Sequence, residues 1–344
     1  MAGQLNLLNA LGGMIKLIPA NKNNKGVSLT LPQLDGTLLT NKNMSGSTSI
    51  NIGGIKIDNS SGGPILTGSN NTSFGIMYGN SINLKVSPFN VVMVNTVAPN
   101  NTQYSAGANA GSNAMFYGGN EVGSSTNRLK LVDSNCTNIQ SDTFVGSIRS
   151  EAAGSSVNNI YDLFYGGYDQ STMNNSTMVT RTGTFINEAT VGSITHNSAG
   201  APANTAAMIY GGYYSNICRL INQSNTMVQA DTNIGTNRNY ISGANVGTNC
   251  LFFGGGDGSG TLYFNTNTLI APTGTLIQAE KNIGVSREGS SGIKFGFFAG
   301  FYGGGDANGY VLKFLLLDSN ANQIGIESTI ITGYSIQYLG STNI

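Results

Sequence analysis

The sequence predicts an all-β protein built from repeats, and three observations lead to this expectation. An apolar run that ends in a Gly-Gly pair recurs along the chain. A stretch of small residues precedes each later Gly-Gly pair at a nearly constant distance. Charged residues make up only 9% of the chain, against about 25% in ordinary soluble domains. Asn, Ser, Thr and Gly replace them, and these residues favour turns over helices.

The Gly-Gly series sets the length of one repeat. The first copy is degenerate and has a single Gly, and the first glycines of the six copies are Gly79, Gly118, Gly166, Gly211, Gly254 and Gly303. The intervals of 39 to 49 residues leave room for four short strands in each repeat. The apolar run lacks polar alternation, which predicts a strand buried on both faces. Gly-Gly then permits a tight turn or a bulge, because glycine reaches positive φ without a steric penalty.

A second landmark keeps the same phase as the glycines. Arg149, Arg238 and Arg287 each stand 16 or 17 residues before a Gly-Gly pair. Small residues follow each arginine, as in the stretches 152–154 and 242–243. A Gly-rich chain produces isolated Gly-Gly pairs by chance, but two coupled series indicate true repeats.

Repeats of this length, with four strands and an apolar run closed by Gly-Gly, resemble the kelch-type β-propeller. The resemblance extends from about residue 74 to 340, and the Arg landmark also looks like the start of a kelch repeat. The chain departs from that pattern because it contains no Trp. The resemblance implies six or seven four-stranded blades. A seventh inner strand at 335–340 would share a blade with strands near 49–58 and close the ring by mixing the termini.

The N-terminal segment has a different character. Two short apolar stretches are followed by Val27-Ser-Leu-Thr-Leu-Pro and then Gly36-Thr-Leu-Leu. This "LTLP…GTLL" order resembles the β-segment at the start of bacteriophage fibre and other virion proteins. The resemblance implies that residues 1–48 attach the chain to other virion proteins, and that 49–344 form the propeller. In that family the segment often helps a subunit join a particle or a trimer, so we expect a homo-oligomer, with a trimer suggested by the analogy.

Charge and hydropathy exclude several classes of partner. The 16 basic and 16 acidic residues cancel, which is not the footprint of a nucleic-acid-binding protein or of a protein that docks on anionic lipid. The longest apolar stretch, 293–302, is about half the length that crosses a bilayer. No basic segment precedes Lys16, as a secretory signal would require. We therefore expect a protein made in the host cytoplasm and exposed on the virion.

Few residues are suited to catalysis or to metal binding. His196 is the only histidine, which excludes most catalytic triads and multi-histidine metal sites. Cys136, Cys218 and Cys250 are far apart in sequence and predict isolated thiols within strands. The Gly-rich segments lack the helix and the Lys-Ser/Thr pair of a phosphate loop. We expect no enzymatic activity, no cofactor and no metal.

The candidate ligand-binding residues follow the Gly-Gly pairs. They are Tyr168, Asp169, Tyr213, Tyr214, Asp257 and Asp306. Equivalent positions in a propeller lie on one face, where carboxylates would bind sugar hydroxyls or calcium and tyrosines would offer contact area. Two alternatives stay open: the aspartates satisfy backbone amides in their own turns, and the tyrosines are ordinary strand residues.

Together these patterns predict a structural component of a bacteriophage virion, in a tail fibre, a tail tip or a capsid decoration. Its propeller loops would bind a host-surface glycan or protein. Two other classes remain: a polysaccharide-degrading propeller enzyme and a kelch-type protein-interaction module. The single histidine and the sparse acids disfavour the enzyme, and the N-terminal segment disfavours the plain interaction module.

Overall fold

The chain divides into two compact units, Met1–Thr72 and Ser73–Ile344. A computed structural model describes residues 74–79, 82–86, 92–96, 102–140, 142–257, 262–324, 327–329 and 339–343, and five short strands before residue 73. Those five strands form an antiparallel pair and an antiparallel three-stranded sheet. Their bounds are Leu5–Leu8 and Met14–Leu17, then Ser49–Ile52, Ile55–Asp58 and Ile65–Gly68. The motif "LTLP…GTLL" lies outside the described residues.

The second unit is a β-propeller of six blades, and this confirms the predicted fold class and fixes the blade count. Each blade is one small antiparallel sheet. The described residues contain no helix, and so none that could span a membrane. The innermost strands of blades 2 to 6, and then of blade 1, contact one another in a closed ring. In that order they are Ala106–Ala110, Ala153–Val157, Ala199–Ala203, Ser242–Val246, Ser291–Phe295 and Gly340–Asn343.

The other strands of each blade follow outward from this ring. The second strands of blades 1 to 6 are the apolar runs that lead to the glycines: Gly75–Gly79, Asn113–Tyr117, Tyr161–Tyr165, Ala206–Tyr210, Asn249–Phe253 and Phe298–Tyr302. The third strands are Ile82–Val86, Ser124–Val132, Ser171–Thr180, Ile217–Asn222, Thr266–Ile270 and Lys313–Leu317. The outer strands are Val92–Thr96, Thr143–Arg149, Phe185–Thr195, Thr232–Asn233, Lys281–Asn282 and Ser328–Thr329. Two-residue strands beside the turns are Thr102–Gln103, Asn120–Glu121, Tyr168–Asp169, Gly305–Asp306 and Gly309–Tyr310.

The ring closes through a strand from the C-terminal end of the chain. Gly340–Asn343 pairs antiparallel with Gly75–Gly79 and so becomes the inner strand of blade 1. The sequence-based expectation of a partner near 49–58 was wrong, because those residues pair within the first unit instead. The closing strand supplies the inner strand that the first, degenerate repeat lacks. There is no seventh blade: the C-terminal strand completes the first one.

The propeller axis is narrow because glycine backbones meet there. The second residue of each inner strand lies at the axis, and in blades 3 to 5 it is Gly154, Gly200 and Gly243. A Cβ built on Gly154 would lie 2.4 Å from the Gly107 carbonyl oxygen, and one built on Gly200 would lie 2.2 Å from that of Gly154. We call Gly107, Gly154, Gly200, Gly243, Gly292 and Ser341 the axial ring. At the five glycines of this ring, a Cβ would lie 2.2–2.6 Å from a backbone oxygen of the neighbouring strand, so no side chain fits there unless the backbone moves.

The hydrophobic core consists of six clusters among the described residues, one at each junction between neighbouring blades. Each cluster joins the apolar second strand of one blade to the strands of the next. Tyrosines that precede the Gly-Gly turns also tie their own blade together: the Tyr165 hydroxyl lies 2.6 Å from the carbonyl oxygens of both Val191 and Ser193 in the outer strand. The repeated Tyr-Gly-Gly motif therefore has a structural explanation.

Five of the six junctions also hold a buried cation. In each, the cation lies over the aromatic ring at the end of the second strand of the preceding blade and pairs with an acid of the following blade. We call these the cation junctions. In order from junction 1/2 to junction 5/6, the cation and its acid are Lys130 and Asp142, Arg149 and Glu188, Arg219 and Asp231, Arg238 and Glu280, and Arg287 and Glu327.

The Arg landmark of the sequence is thus explained by the interior of the fold. Arg149, Arg238 and Arg287 are fully buried between blades. The Arg238 guanidinium donates to the carbonyl oxygens of Gly254 and Thr266 at 3.1 and 2.8 Å and lies 3.0 Å from the Glu280 carboxylate. Where the landmark position is Thr195, Arg219 from the third strand of blade 4 supplies the charge instead.

Candidate functional site

The Gly-Gly turns carry the chain onto one face of the propeller. Gly166 and Gly167 have φ of 67° and 104°, in the left-handed region that glycine adopts freely. Tyr168, the next residue, exchanges backbone hydrogen bonds of 2.8 and 3.0 Å with Ser150, which lies just before the inner strand of the same blade. Residues that follow the Gly-Gly pairs are therefore brought to the mouth of the axis. We call this side of the propeller the Gly-Gly face.

An aromatic ladder crosses two blades of the Gly-Gly face. It consists of Tyr168, His196, Tyr213 and Tyr214. The ring centroids are 5.7 Å apart for Tyr168 and His196, 4.6 Å for His196 and Tyr213, and 4.3 Å for Tyr213 and Tyr214. The three tyrosines are exposed, with 52% of Tyr213 accessible to solvent. Stacked rings with accessible faces and hydroxyls can contact a flat, partly polar ligand.

His196 occupies the centre of this ladder. Its Nδ1 lies 3.0 Å from the Thr172 hydroxyl oxygen, and its Nε2 lies 4.0 Å from Glu151 Oε2. Partial burial lowers the pKa of His196 below its ordinary value. The ring is therefore neutral near pH 7 and stacks on Tyr213 as an uncharged aromatic. His196 thus links two of the predicted tyrosines, Tyr168 and Tyr213.

Beside the ladder, a ring of unusual backbone surrounds the mouth of the axis. Tyr104, Glu151, Asn197 and Tyr240 have φ between 51° and 58°, although none is glycine. Each stands three residues before its axial-ring glycine, and Gly289 occupies the same position in blade 6 with φ of 61°. Such a conformation is costly for Tyr and Glu, so it persists only where the surrounding structure imposes it. Strain of this kind is typical of functional sites.

Backbone hydrogen bonds connect these residues from blade to blade. The Glu151 amide donates to the Tyr104 carbonyl at 3.0 Å, and the Asn197 amide donates to the Glu151 carbonyl at 3.0 Å. The Gly289 amide donates to the Tyr240 carbonyl at 2.8 Å. The backbone of these residues is therefore fixed around the axis, and it sets where their side chains begin.

The ring encloses a cavity that we call the upper vestibule. Its volume is about 110 Å³, and its floor is the axial ring. A second cavity of about 40 Å³ lies on the other side of the same glycines. Burial raises the pKa of the Glu151 carboxyl, with partial opposition from Asn197, and raises the pKa of Tyr240 to about 12, with a further contribution from Glu151. Both side chains therefore lie in a partly dehydrated, polar environment.

The predicted aspartates are placed differently from the tyrosines. Asp257 Oδ1 accepts a 3.3 Å hydrogen bond from the Leu262 amide, and Asp306 Oδ1 accepts one of 2.8 Å from the Asn308 amide. Asp169 is half-buried on the short strand Tyr168–Asp169. Asp257 and Asp306 thus make the turn contacts that were the alternative to ligand binding. Among the described residues, no three His, Cys, Asp or Glu side chains lie close enough to hold a metal ion.

Sequence reasoning identified three of the four ladder residues but none of the vestibule residues Tyr104, Glu151, Asn197 and Tyr240. A usable signal was present, because each of these stands three residues before a glycine of the small-residue landmark. Their residue types vary, however, and this hid the shared position. The cysteines lie away from the site: all three are buried, and burial raises the pKa of Cys136 to about 11 and that of Cys218 to about 12.

No protein-family model matches the chain, and no curated protein is significantly similar to it.

Proposed function

We propose that the protein is a structural, non-enzymatic component of a bacteriophage virion that binds a host-surface glycan through the Gly-Gly face of its propeller. The observation that carries the binding part is the aromatic ladder. Three exposed tyrosines and one histidine form a continuous row of contacting rings with centroid separations of 4.3 to 5.7 Å. The contact between His196 and Tyr213 is stacked, and the other two are tilted or edge-on. Sugar rings pack their apolar C–H faces on aromatic rings and use their hydroxyls for hydrogen bonds, so a ladder of this kind suits an extended glycan.

The surrounding chemistry favours a glycan over a nucleic acid or a lipid surface. The chain has no net charge, whereas binding of a phosphate backbone depends on an excess of Lys and Arg. Tyr contributes a large contact area at low entropic cost. The virion part of the proposal is supported by the resemblance of residues 1–48 to phage fibre segments. It is also supported by the uncharged, Asn- and Gly-rich composition.

Mass spectrometry of purified particles of the phage that encodes this chain tests the virion part of the proposal. We expect peptides from this chain in the particles at a level comparable to other structural proteins. Its absence from intact particles would contradict the proposal.

The binding part is tested with the intact protein and purified host polysaccharide. Tyr213→Ala removes the central exposed ring of the ladder and should weaken binding by about tenfold, because one stacked ring is worth about 1–3 kcal/mol. Phe297→Ala is the matched control: Phe297 is also highly exposed, but it lies in the turn between the first two strands of blade 6, at the opposite face. Equal losses in both variants, or release of reducing sugar by the protein, would contradict the proposal.

A further inference from the structure

The upper vestibule contains buried polar atoms that lack partners. Ser105 Oγ, Asn197 Oδ1 and Ser198 Oγ line this cavity, and none has a hydrogen-bond partner among the described residues. Their residues are only 8%, 6% and 8% exposed. Buried polar atoms in native proteins nearly always have a partner, either in the protein or in ordered water. Three such atoms around one cavity therefore mark a polar site that holds water when it is empty and offers the same hydrogen bonds to a ligand that displaces the water.

The types of atom restrict what that molecule is. Asn197 Oδ1 only accepts hydrogen bonds, whereas the hydroxyls of Ser105 and Ser198 both donate and accept. An ammonium group would satisfy the acceptor but would offer nothing to the hydroxyl protons. An anion would satisfy the hydroxyls but would repel the carboxylate of Glu151, and no Lys or Arg is among the described residues that line the cavity. A neutral ligand with several hydroxyls can bond to all of them.

The size and shape of the cavity point to a single sugar ring. A volume of about 110 Å³ exceeds the share of about 30 Å³ that one water has in the liquid. The axial ring closes the floor, so a chain cannot pass through and only a terminal group fits. The Tyr104 and Tyr240 rings also line this cavity and provide flat apolar surface. Its polar rim joins the ladder, since Glu151 Oε2 lies 4.0 Å from His196 Nε2.

We propose that the upper vestibule binds the terminal, neutral monosaccharide of a glycan whose adjoining units lie along the aromatic ladder. This inference rests on the proposed glycan-binding function. It adds a separate subsite and the requirement that the sugar bound there is uncharged. The vestibule residues Ser105, Ser198 and Asn197 would bond to the sugar hydroxyls. The axial ring would stop the glycan from entering further, so recognition would be restricted to chain ends.

Equivalent positions in other blades suggest a substitution that blocks this subsite with a side chain the fold already accommodates. Ser198 stands two residues before its axial-ring glycine, and the equivalent positions in blades 5 and 1 are occupied by Ile241 and Leu339. Ser198→Leu therefore places in blade 4 a side chain that this position already holds elsewhere, and it reduces the free volume of the vestibule. Ser198→Ala removes only the hydroxyl.

The experiment titrates methyl glycosides of neutral monosaccharides into the intact protein and its variants, with saturation-transfer NMR and calorimetry as readouts. We expect at least one glycoside to bind. Ser198→Leu should weaken it by about tenfold or more and Ser198→Ala by a few-fold, since a site built for a hydroxyl loses affinity when its polar group is removed. Phe297→Ala, on the opposite face, should leave monosaccharide affinity nearly unchanged. If Ser198→Leu does not fold, as judged by circular dichroism, Ser105→Ala combined with Ser198→Ala replaces it.

Several results would overturn the inference. They are the failure of every neutral glycoside to bind, wild-type affinity in the blocked variant, or tighter binding of anionic sugars. The experiment also separates this inference from the proposed function. Host polysaccharide that binds Ser198→Leu normally but not Tyr213→Ala would overturn the subsite and leave the ladder intact. Monosaccharide binding without any binding of host polysaccharide would overturn the proposed function and leave the vestibule as a sugar-binding site.

Discussion

The five cation junctions and the closing junction between blades 6 and 1 solve the same packing problem with different chemistry. At junction 1/2, Lys130 lies 4.8 Å from the ring centre of Tyr78 and is 3% exposed. At the closing junction the equivalent aromatic residue is Tyr302, and it packs in an apolar cluster that includes Met77 and Leu84. Leu84 pairs with Met77 just as Lys130 pairs with Phe116, so the two are equivalent residues of the third strand.

This difference shows what each kind of junction requires. A buried ion pair is favourable only when both charges and their hydrogen bonds are correctly placed, because each charge has lost its water. Apolar contact is non-directional and tolerates small errors in position. Five junctions join blades that are consecutive in sequence, whereas the sixth must form between the two ends of the propeller. The junction without a described cation is thus the one whose partners are most distant in the chain.

The largest effect should come from the removal of a junction cation. Arg238→Met leaves Glu280 without its partner and frees the carbonyl oxygens of Gly254 and Thr266, so we expect a loss of about 3–5 kcal/mol in the free energy of unfolding. Urea denaturation measures it. Leu84→Met at the closing junction is the matched control and should cost less than about 1.5 kcal/mol. Equal losses would mean that the cation contributes no more than shape.

Asp162 is a buried acid outside the cation pairs, and its replacement should raise the free energy of unfolding instead of lowering it. Asp162 is fully buried on the second strand of blade 3, and burial raises its pKa from 3.8 to about 7, with partial opposition from Ser156 and Arg181. Because the folded state holds this proton more tightly than the unfolded state, stability is full below pH 3.8 and is lost as pH rises to about 7. Asp162→Asn cannot ionise.

We therefore expect Asp162→Asn to stabilise the protein at pH 8 by up to about 4 kcal/mol, at about 1.4 kcal/mol for each unit of pKa shift. The gain should fall towards zero near pH 4. Urea denaturation at both pH values measures it, with wild type as the reference. A destabilised variant at pH 8 would show that the Asp162 carboxylate is stabilised in the fold by interactions stronger than its burial.

The smallest effect should come from conversion of one junction to the closing type. Lys130→Leu introduces the residue found at the equivalent position of blade 1. Asp142 keeps a cation, because Arg128 Nη1 lies 2.8 Å from its Oδ2, and burial already lowers the pKa of Lys130. The substitution therefore leaves no buried acid without a cation, which is the main cost of breaking a buried ion pair, so we expect a change within about 1 kcal/mol. A loss of stability as large as that of Arg238→Met would show that Lys130 is as important to its junction as Arg238 is, and would contradict this prediction.

The fold was predictable because a Gly-Gly pair marks every complete repeat in the sequence. The turns at Gly166–Gly167 and its counterparts need a left-handed backbone, which glycine adopts freely, so the repeats can be found by locating these pairs. The closing strand was assigned to the wrong partner because strand pairing between distant segments has no local signal. Residues 49–58 and Gly75–Gly79 are both short apolar strands, and only the packing around the axis distinguishes them.

The candidate site was predictable in part for the same reason. Tyr168 and Tyr213 follow directly on Gly-Gly turns, so their shared face could be inferred from the repeat. Glu151 and Tyr240 could not be found in this way, because their left-handed conformation is imposed by contacts between neighbouring blades. Neither residue type prefers that conformation, so nothing in the local sequence predicts it.

The closing strand also determines the order in which the propeller can be completed during synthesis. Blade 1 is the first to leave the ribosome, yet its inner edge at Gly75–Gly79 pairs with Gly340–Asn343, nearly the last residues of the chain. That edge therefore stays unpaired while five further blades are translated, and an unpaired edge is a template for association with other chains. Pairing over such a sequence distance is slow. Completion of the ring is consequently a late step of folding, and until then the nascent chain depends on the short blade 1 sheet remaining separate from its neighbours.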